Sequence, residues 1–186
     1  EILELNNMST ISKRIETAIN HLIQKDYENA LIQISVAIDS TGKKKWTAKK
    51  TGPRIKDFIK ENEKFIYQCA SGGNFILRKG GQVNIQGKEL KELVYVSVRC
   101  SLLHGDELAD HVILKPEESF INVEQGKPVI NKGLITGLLL SIVGEVANSD
   151  EVCGPNQKLV IDGNDILINN LWGNIGKIIE TLKFEK

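Results

Sequence analysis

Apolar residues recur at three- and four-residue intervals along most of the chain, and that spacing predicts a succession of amphipathic helices. Ile11, Ile15, Ala18, Ile19, Leu22 and Ile23 form one stripe over about Ser12–Gln24. Asp26 is placed to cap a second helix over Tyr27–Gly42, whose apolar face carries Ala30, Leu31, Ile34, Ala37, Ile38 and Thr41. The short connection between the two predicts an antiparallel pair. Pro53 suits the first turn of a third helix bearing Ile55, Phe58, Ile59, Phe65 and Ile66. A fourth helix spans residues 88–104, with Leu90, Leu93, Val94, Ser97 and Ser101 on one stripe and Gly105 as its stop.

Between the third and fourth helices, residues 71–87 are rich in glycine. Phe75–Leu77 and Gln82–Ile85 are expected to pair around Lys79-Gly80-Gly81, in a spacing that is not a phosphate loop. Beyond residue 106 the texture changes. Residues 111–115 and 119–124 read as short strands separated by Pro116. Val129 and Ile130 are expected to open a helix through Leu134, Leu138, Leu139, Ile142, Val143 and Val146. Its interior glycines, Gly133, Gly137 and Gly144, weaken it locally and permit close helix packing. Residues 158–162 and 165–169 flank Gly163-Asn164 as a tight hairpin, and a last helix runs over about Leu171–Leu182. The expectation is a mainly α protein, a helical bundle with short inserted β-hairpins. It forms a single domain over 1–186, with core helices in 10–105 and hairpins and further packing helices in 106–186.

Composition narrows the classes. Lys and Arg number 24, as do Asp and Glu, so net charge is zero and whole-protein steering toward nucleic acid is not expected. A nucleic-acid site would need a local basic patch. Cys69, Cys100 and Cys153 are too few and too scattered for a disulfide scaffold or a metal framework, and read as reduced thiols of a cytoplasmic protein. No cofactor or metal is expected. No apolar run reaches membrane-spanning length, and no signal-peptide pattern opens the sequence.

The candidate chemistry sits at the end of the fourth helix. Arg99 offers a permanent cation able to bind phosphate through two parallel hydrogen bonds, and His104 a group that titrates near neutral pH. Five residues turn an ideal helix through about 500°, so the pair converges only if the helix ends or tightens before His104, or if the site forms between two chains. On the residues alone, capping of the last carbonyls of the helix, where the dipole is negative, is the favoured reading of such a pair. A second candidate is Lys43, Lys44, Lys45, Lys49 and Lys50 around Trp46, an RNA-contacting patch in which Trp46 itself is expected to anchor the segment to the bundle. His21 is expected to be a surface or packed residue. Asp39, among apolar neighbours, is expected to face a backbone group or a partner helix.

The helices followed by Arg99-Cys100-Ser101-Leu102-Leu103-His104-Gly105 resemble the HEPN superfamily, the higher eukaryotes and prokaryotes nucleotide-binding domain. Asp26-Tyr27-Glu28-Asn29-Ala30 through Ala37-Ile38-Asp39 also resembles the early helices of such bundles, and the resemblance covers roughly residues 10–105. It implies a HEPN-like bundle, commonly a homodimer. Many members are metal-independent RNases of toxin–antitoxin, phage-defence or RNA-processing systems. Others have lost catalysis and bind nucleotides or partner proteins, such as an antitoxin. Carried over, Arg99 and His104 are the catalytic pair. Cys100 departs from the polar Asn, Asp or His that active members often carry after the arginine, and the strands after His104 depart from a minimal bundle. A non-catalytic binding bundle and an unrelated helical interaction domain remain as alternatives.

Overall fold

The computed structural model describes residues 9–73, 83–103, 111–161 and 164–183, with the side chains of 99–103 and of Asn164 outside the description. Six α-helices dominate the described residues, and the strands are short. Helix α1 (Thr10–Ile23) starts at Ser9, whose hydroxyl accepts from the Ile11 and Ser12 amides. Lys25 takes a left-handed turn at φ 60°, and Asp26 then caps α2 (Tyr27–Lys45) by accepting from the Asn29 amide. The two helices pack on each other through Ile15, Ala18, Ile19, Leu31, Ile34 and Ile38, all fully buried. The predicted pair is present. Helix α2 continues one turn past Gly42, so Lys43, Lys44 and Lys45 are helical residues. Lysines suit that last turn because the helix dipole is negative there.

Helix α3 (Thr51–Ala70) has Pro53 in its first turn, as the sequence predicts. Of the predicted Phe75–Leu77 and Gln82–Ile85 pairing, residues 74–82 lie outside the described residues. Asn84–Ile85 (β1) pairs with Lys88–Glu89 (β2) around Gln86-Gly87. Gln86 and Gly87 both have positive φ, 50° and 80°, the geometry of the two-residue turn that matches strand twist. This hairpin delivers the chain directly into α4 (Leu90–Leu103).

A second Gln-Gly turn does the same work further on. Ile113–Leu114 (β3) runs parallel to Lys127–Ile130 (β5), and Val123–Glu124 (β4) pairs antiparallel with β5 around Gln125-Gly126. Val129 and Ile130 therefore belong to the central strand of a three-stranded sheet and not to the following helix. The β-branched pair takes the sheet, and Asn131 sets the boundary by capping α5 (Lys132–Gly144). The Asn131 side chain accepts from the Leu134 amide at 2.8 Å and donates to the carbonyls of Ala70 and Glu118 at 2.7 and 3.0 Å. One buried side chain thus joins the start of α5, the end of α3 and the loop before β4. Asn131→Ala removes the cap and strands the buried Ala70 carbonyl, so it is expected to cost about 2–3 kcal/mol, read as a lowered urea midpoint with an unchanged slope.

Helix α5 is apolar on all sides and forms the centre of the core, against α2, α3 and the last helix. Its glycines explain how closely it packs. A Cβ at Gly133 would lie 2.5 Å from the Cys69 carbonyl oxygen, and one at Gly137 would lie 2.9 Å from the Cys69 Cβ. The predicted hairpin is present as Lys158–Ile161 (β6) against Asn164–Leu167 (β7). The last helix is shorter than predicted. A 3-10 turn at Ile168–Asn170 and Gly173 at φ 71° come first, and α6 (Ile175–Thr181) begins after the Asn174 cap.

Polar side chains fasten this frame. Asn148 donates to Thr41 Oγ1 and the Ile142 carbonyl, tying the turn after α5 to α2. Glu151 is buried, accepts from the Ser9 hydroxyl and the Ser12 amide, and pairs with Lys44 at 3.3 Å. Asp39 meets a partner helix, as expected: it accepts from Arg54 Nη2 on α3 at 2.6 Å, while Arg54 also donates to the Lys49 carbonyl and Thr51 Oγ1. His21 Nδ1 sits 3.0 Å from Asp26 in the α1–α2 turn, a packed surface position.

Candidate nucleic-acid interface

Helix α4 carries the Arg-x4-His segment, and its local sequence explains its seating. Leu90, Leu93, Val94, Ser97 and Val98 are buried and turn one face to α2 and α3. The Ser97 hydroxyl returns to the Leu93 carbonyl at 3.2 Å, satisfying a polar group on the buried side. The other positions, Lys91, Glu92 and Tyr95, are only half-buried. Arg99 stands on α4, one turn past Tyr95. Its side chain lies outside the described residues, as does all of His104.

The half-buried face of α4 borders a cleft against α3 of about 450 Å³. Lys56 and Lys60 enter from α3, and Lys91 and Tyr95 from α4. Each pair has a four-residue spacing, so each shares a helix face. Lys56 Nζ pairs with Glu92 at 2.7 Å and lies 4.6 Å from the centroid of the Tyr95 ring. Lys91 pairs with Glu89. Lys60 makes no ion pair within 4 Å among the described residues. Gly52 forms one margin, where a Cβ would come 2.9 Å from the Tyr95 hydroxyl.

The lysines expected to contact RNA divide into two groups. Lys44 bonds Asp150 and Glu151, and Lys45 bonds Glu61 and Glu145 at 2.5 and 2.8 Å. Burial pulls both ammonium groups down, yet those carboxylates outweigh it and leave both pKa values raised. Lys49 bonds Asp57 at 2.6 Å. Lys45 and Lys49 each stand 4.7 Å from the Trp46 centroid, and Trp46 packs against the core as an anchor. Lys43 and Lys50 are exposed. Lys49 and Lys50 adjoin the cleft, because Asp57 lines it and Lys50 directly precedes α3. Sequence reading missed Lys56, Lys60, Lys91 and Tyr95. The visible signal was Lys91 and Tyr95 placed two turns and one turn before Arg99.

Glu63 lies one turn further along α3 than Lys60, and is buried with Oε2 unpartnered among the described residues. Burial, then the nearby Glu89 carboxylate, hold its pKa above the ordinary value. A carboxyl raised in the folded state favours folding below its unfolded pKa, and that contribution is lost as pH rises through the folded value. Glu63→Gln is therefore expected to be at least as stable as the parent at pH 7, the difference shrinking as pH falls below the ordinary carboxylate value of 4.5. Urea midpoints on both sides of that pH check it. A less stable glutamine variant at pH 7 contradicts it.

A larger cleft of about 650 Å³ lies away from α4, lined by residues such as Ile23, Tyr27, Val160 and Lys132. Asn131 there is fully used by the backbone, and Lys132 faces Glu117 at 3.5 Å. Cys69 and Cys153 are buried free thiols, with burial pushing Cys153 up to about 12. Among the described residues, no group of three His, Cys, Asp or Glu side chains is placed to hold a metal ion, and no helix is long and apolar enough to cross a membrane.

Fold and site together define a mainly helical protein whose motif-bearing helix borders a lysine-lined cleft. The chain belongs to the Rv1289 family, whose model matches residues 10–186. No curated protein matches the chain, and no solved structure matches it.

Proposed function

We propose that the protein is a HEPN-type, metal-independent endoribonuclease of a bacterial defence or toxin system, with Arg99 and His104 as its catalytic pair. The observation that carries this reading is α4 itself. It forms where the motif requires a helix, its described end at Leu103 directly precedes His104, and its open face lines a cleft with three lysines and a tyrosine. Two chains pack as a homodimer so that both copies of the pair line one groove. His104 takes the proton from a ribose 2′-hydroxyl, or returns one to the departing 5′-oxygen. The 2′-oxygen attacks the adjacent phosphorus, the bond to the 5′-oxygen breaks, and Arg99 offsets the charge that builds on the phosphoryl oxygens. The products are a 2′,3′-cyclic phosphate and a 5′-hydroxyl.

The chemistry needs a 2′-hydroxyl, which defines the test. Purified protein is incubated with a single-stranded RNA and with DNA of the same sequence, and the RNA ends are analysed. RNA cut to cyclic phosphate and 5′-hydroxyl ends, with intact DNA, is the expected result. Intact RNA, or DNA cut equally well, overturns the reading. RNA bound but never cut points to a non-catalytic bundle, a reading that Cys100 after Arg99 favours.

A further inference from the structure

We infer that the cleft between α3 and α4 is the track along which a single-stranded RNA lies next to the scissile position, an inference that rests on the endoribonuclease reading. Lys56, Lys60 and Lys91 hold successive backbone phosphates there, and Tyr95 supplies the aromatic surface for one base.

Four observations converge on this assignment. The cations come from two helices and meet in one cleft, so they act on the same ligand. The cleft volume of about 450 Å³ falls in the range of small-ligand sites, roughly 300–1,000 Å³, which admits a nucleotide unit. Tyr95 stands among those lysines, the combination that binds single strands without reading sequence. Finally, α4 gives the track its direction. From Lys91 to Tyr95 to Arg99 the helix rises about 6 Å per step, so the strand reaches the catalytic arginine by following the helix. At the other margin Lys49 and Lys50 extend the basic surface.

Two of the track's lysines carry carboxylate partners, Glu92 on Lys56 and Glu89 on Lys91, and Asp57 lines the cleft beside them, so a phosphate must displace Glu92 and Glu89. Glu92 pairs with Lys56 at 2.7 Å, but about a third or more of each side chain is exposed. An exposed pair of this kind is worth about 0–1 kcal/mol, so a phosphate displaces Glu92 from Lys56 at little cost. Lys60 has no such partner among the described residues and is free to take the first phosphate. Gly52 keeps space for the Tyr95 phenol. A larger residue there meets only the Tyr95 ring and forces it to shift.

The test separates binding from cleavage. The probe is a fluorescein-labelled uridine dodecamer with 2′-O-methyl groups throughout, which 2′-hydroxyl chemistry cannot cut. Its anisotropy is titrated at several salt concentrations with wild type, Lys56→Ala/Lys60→Ala/Lys91→Ala, Gly52→Val, and Lys13→Ala/Lys177→Ala as a control at exposed positions of α1 and α6. The triple variant is expected to bind at least about tenfold more weakly and to lower the log–log salt slope by about 2, near 0.7 for each phosphate left without its lysine. Gly52→Val is expected to weaken binding with the slope unchanged, because it moves the tyrosine and removes no charge. The control is expected to match wild type. Circular dichroism checks folding; if the triple variant does not fold, Lys60→Glu, which breaks no ion pair among the described residues, serves in its place.

An unchanged affinity and slope in the lysine variant overturns the track, and wild-type cleavage of the unmodified dodecamer then leaves the endoribonuclease reading standing. Lost binding in the lysine variant without any wild-type cleavage keeps the cleft as an RNA site and removes the endoribonuclease reading. A wild type that does not bind the probe overturns the inference.

Discussion

Gly133→Val is expected to destabilise the protein by at least about 3 kcal/mol, lowering its thermal midpoint by roughly 6–12 °C. The atom that would be struck is backbone: the Cys69 carbonyl oxygen, 2.5 Å from where the Cβ would sit. The Ala70 Cα lies 3.0 Å away on the same side. Neither can swing aside without moving α3 away from α5, and that contact includes Ile66, Leu134 and Leu138, all fully buried. Gly133→Ala makes the comparison sharper. Alanine gains about 1 kcal/mol of helix propensity over glycine, so the steric conflict exceeds any net loss of stability by about that amount. Gly137→Ala is expected to cost less, because its nearest neighbour is the Cys69 Cβ at 2.9 Å. The two changes meet the same residue, so their effects will not add. A melt of Gly133→Val within 2 °C of the parent would show that the helices do not approach this closely.

The second large effect concerns chemistry. His104→Ala is expected to lower RNA cleavage by about 10²–10⁴-fold, the usual span for a positioned proton donor or acceptor. Arg99→Ala is expected to lower it by about 10²–10³-fold, the span for losing one group that stabilises developing charge. Arg99→Lys restores the charge but not the two-pronged geometry, so partial recovery is expected. In the proposed mechanism the two groups serve one transition state, so the double variant is expected to be little worse than the less active single. Single-turnover cleavage with protein in excess reads these losses directly. A loss below tenfold in His104→Ala, in a preparation whose far-ultraviolet spectrum matches the parent, removes His104 from the mechanism.

Much of this architecture was legible because helices announce themselves locally. The stripe Ile15, Ala18, Ile19 and the stripe Leu90, Leu93, Val94 each carry a period that only a helix satisfies, and each is buried as that period requires. Asp26 and Pro53 marked helix starts because capping is a contact over three residues. The errors fell where local signals compete. Val129 and Ile130 continue the apolar pattern of α5, yet they pair with Ile113 and Leu114, some sixteen residues earlier, and no spacing rule reveals a parallel partner at that distance. The Gln86-Gly87 turn went unread because only its second residue is a turn signal, although both residues take positive φ.

For the site, the division is of the same kind. Sequence by itself determined that α4 is a helix carrying Arg99, and that five lysines cluster near Trp46, because those facts depend only on neighbours along the chain. Which cations stay available was decided by the tertiary structure. Lys45 is occupied by Glu145, one hundred residues away, and Lys44 by Glu151, one hundred and seven away. Lys56 and Lys60 gain a shared purpose only when α3 lies against α4 and brings Lys91 and Tyr95 to the same cleft. A charge is written in the sequence; whether it meets a carboxylate or open solvent depends on the packing of helices that are distant in the chain.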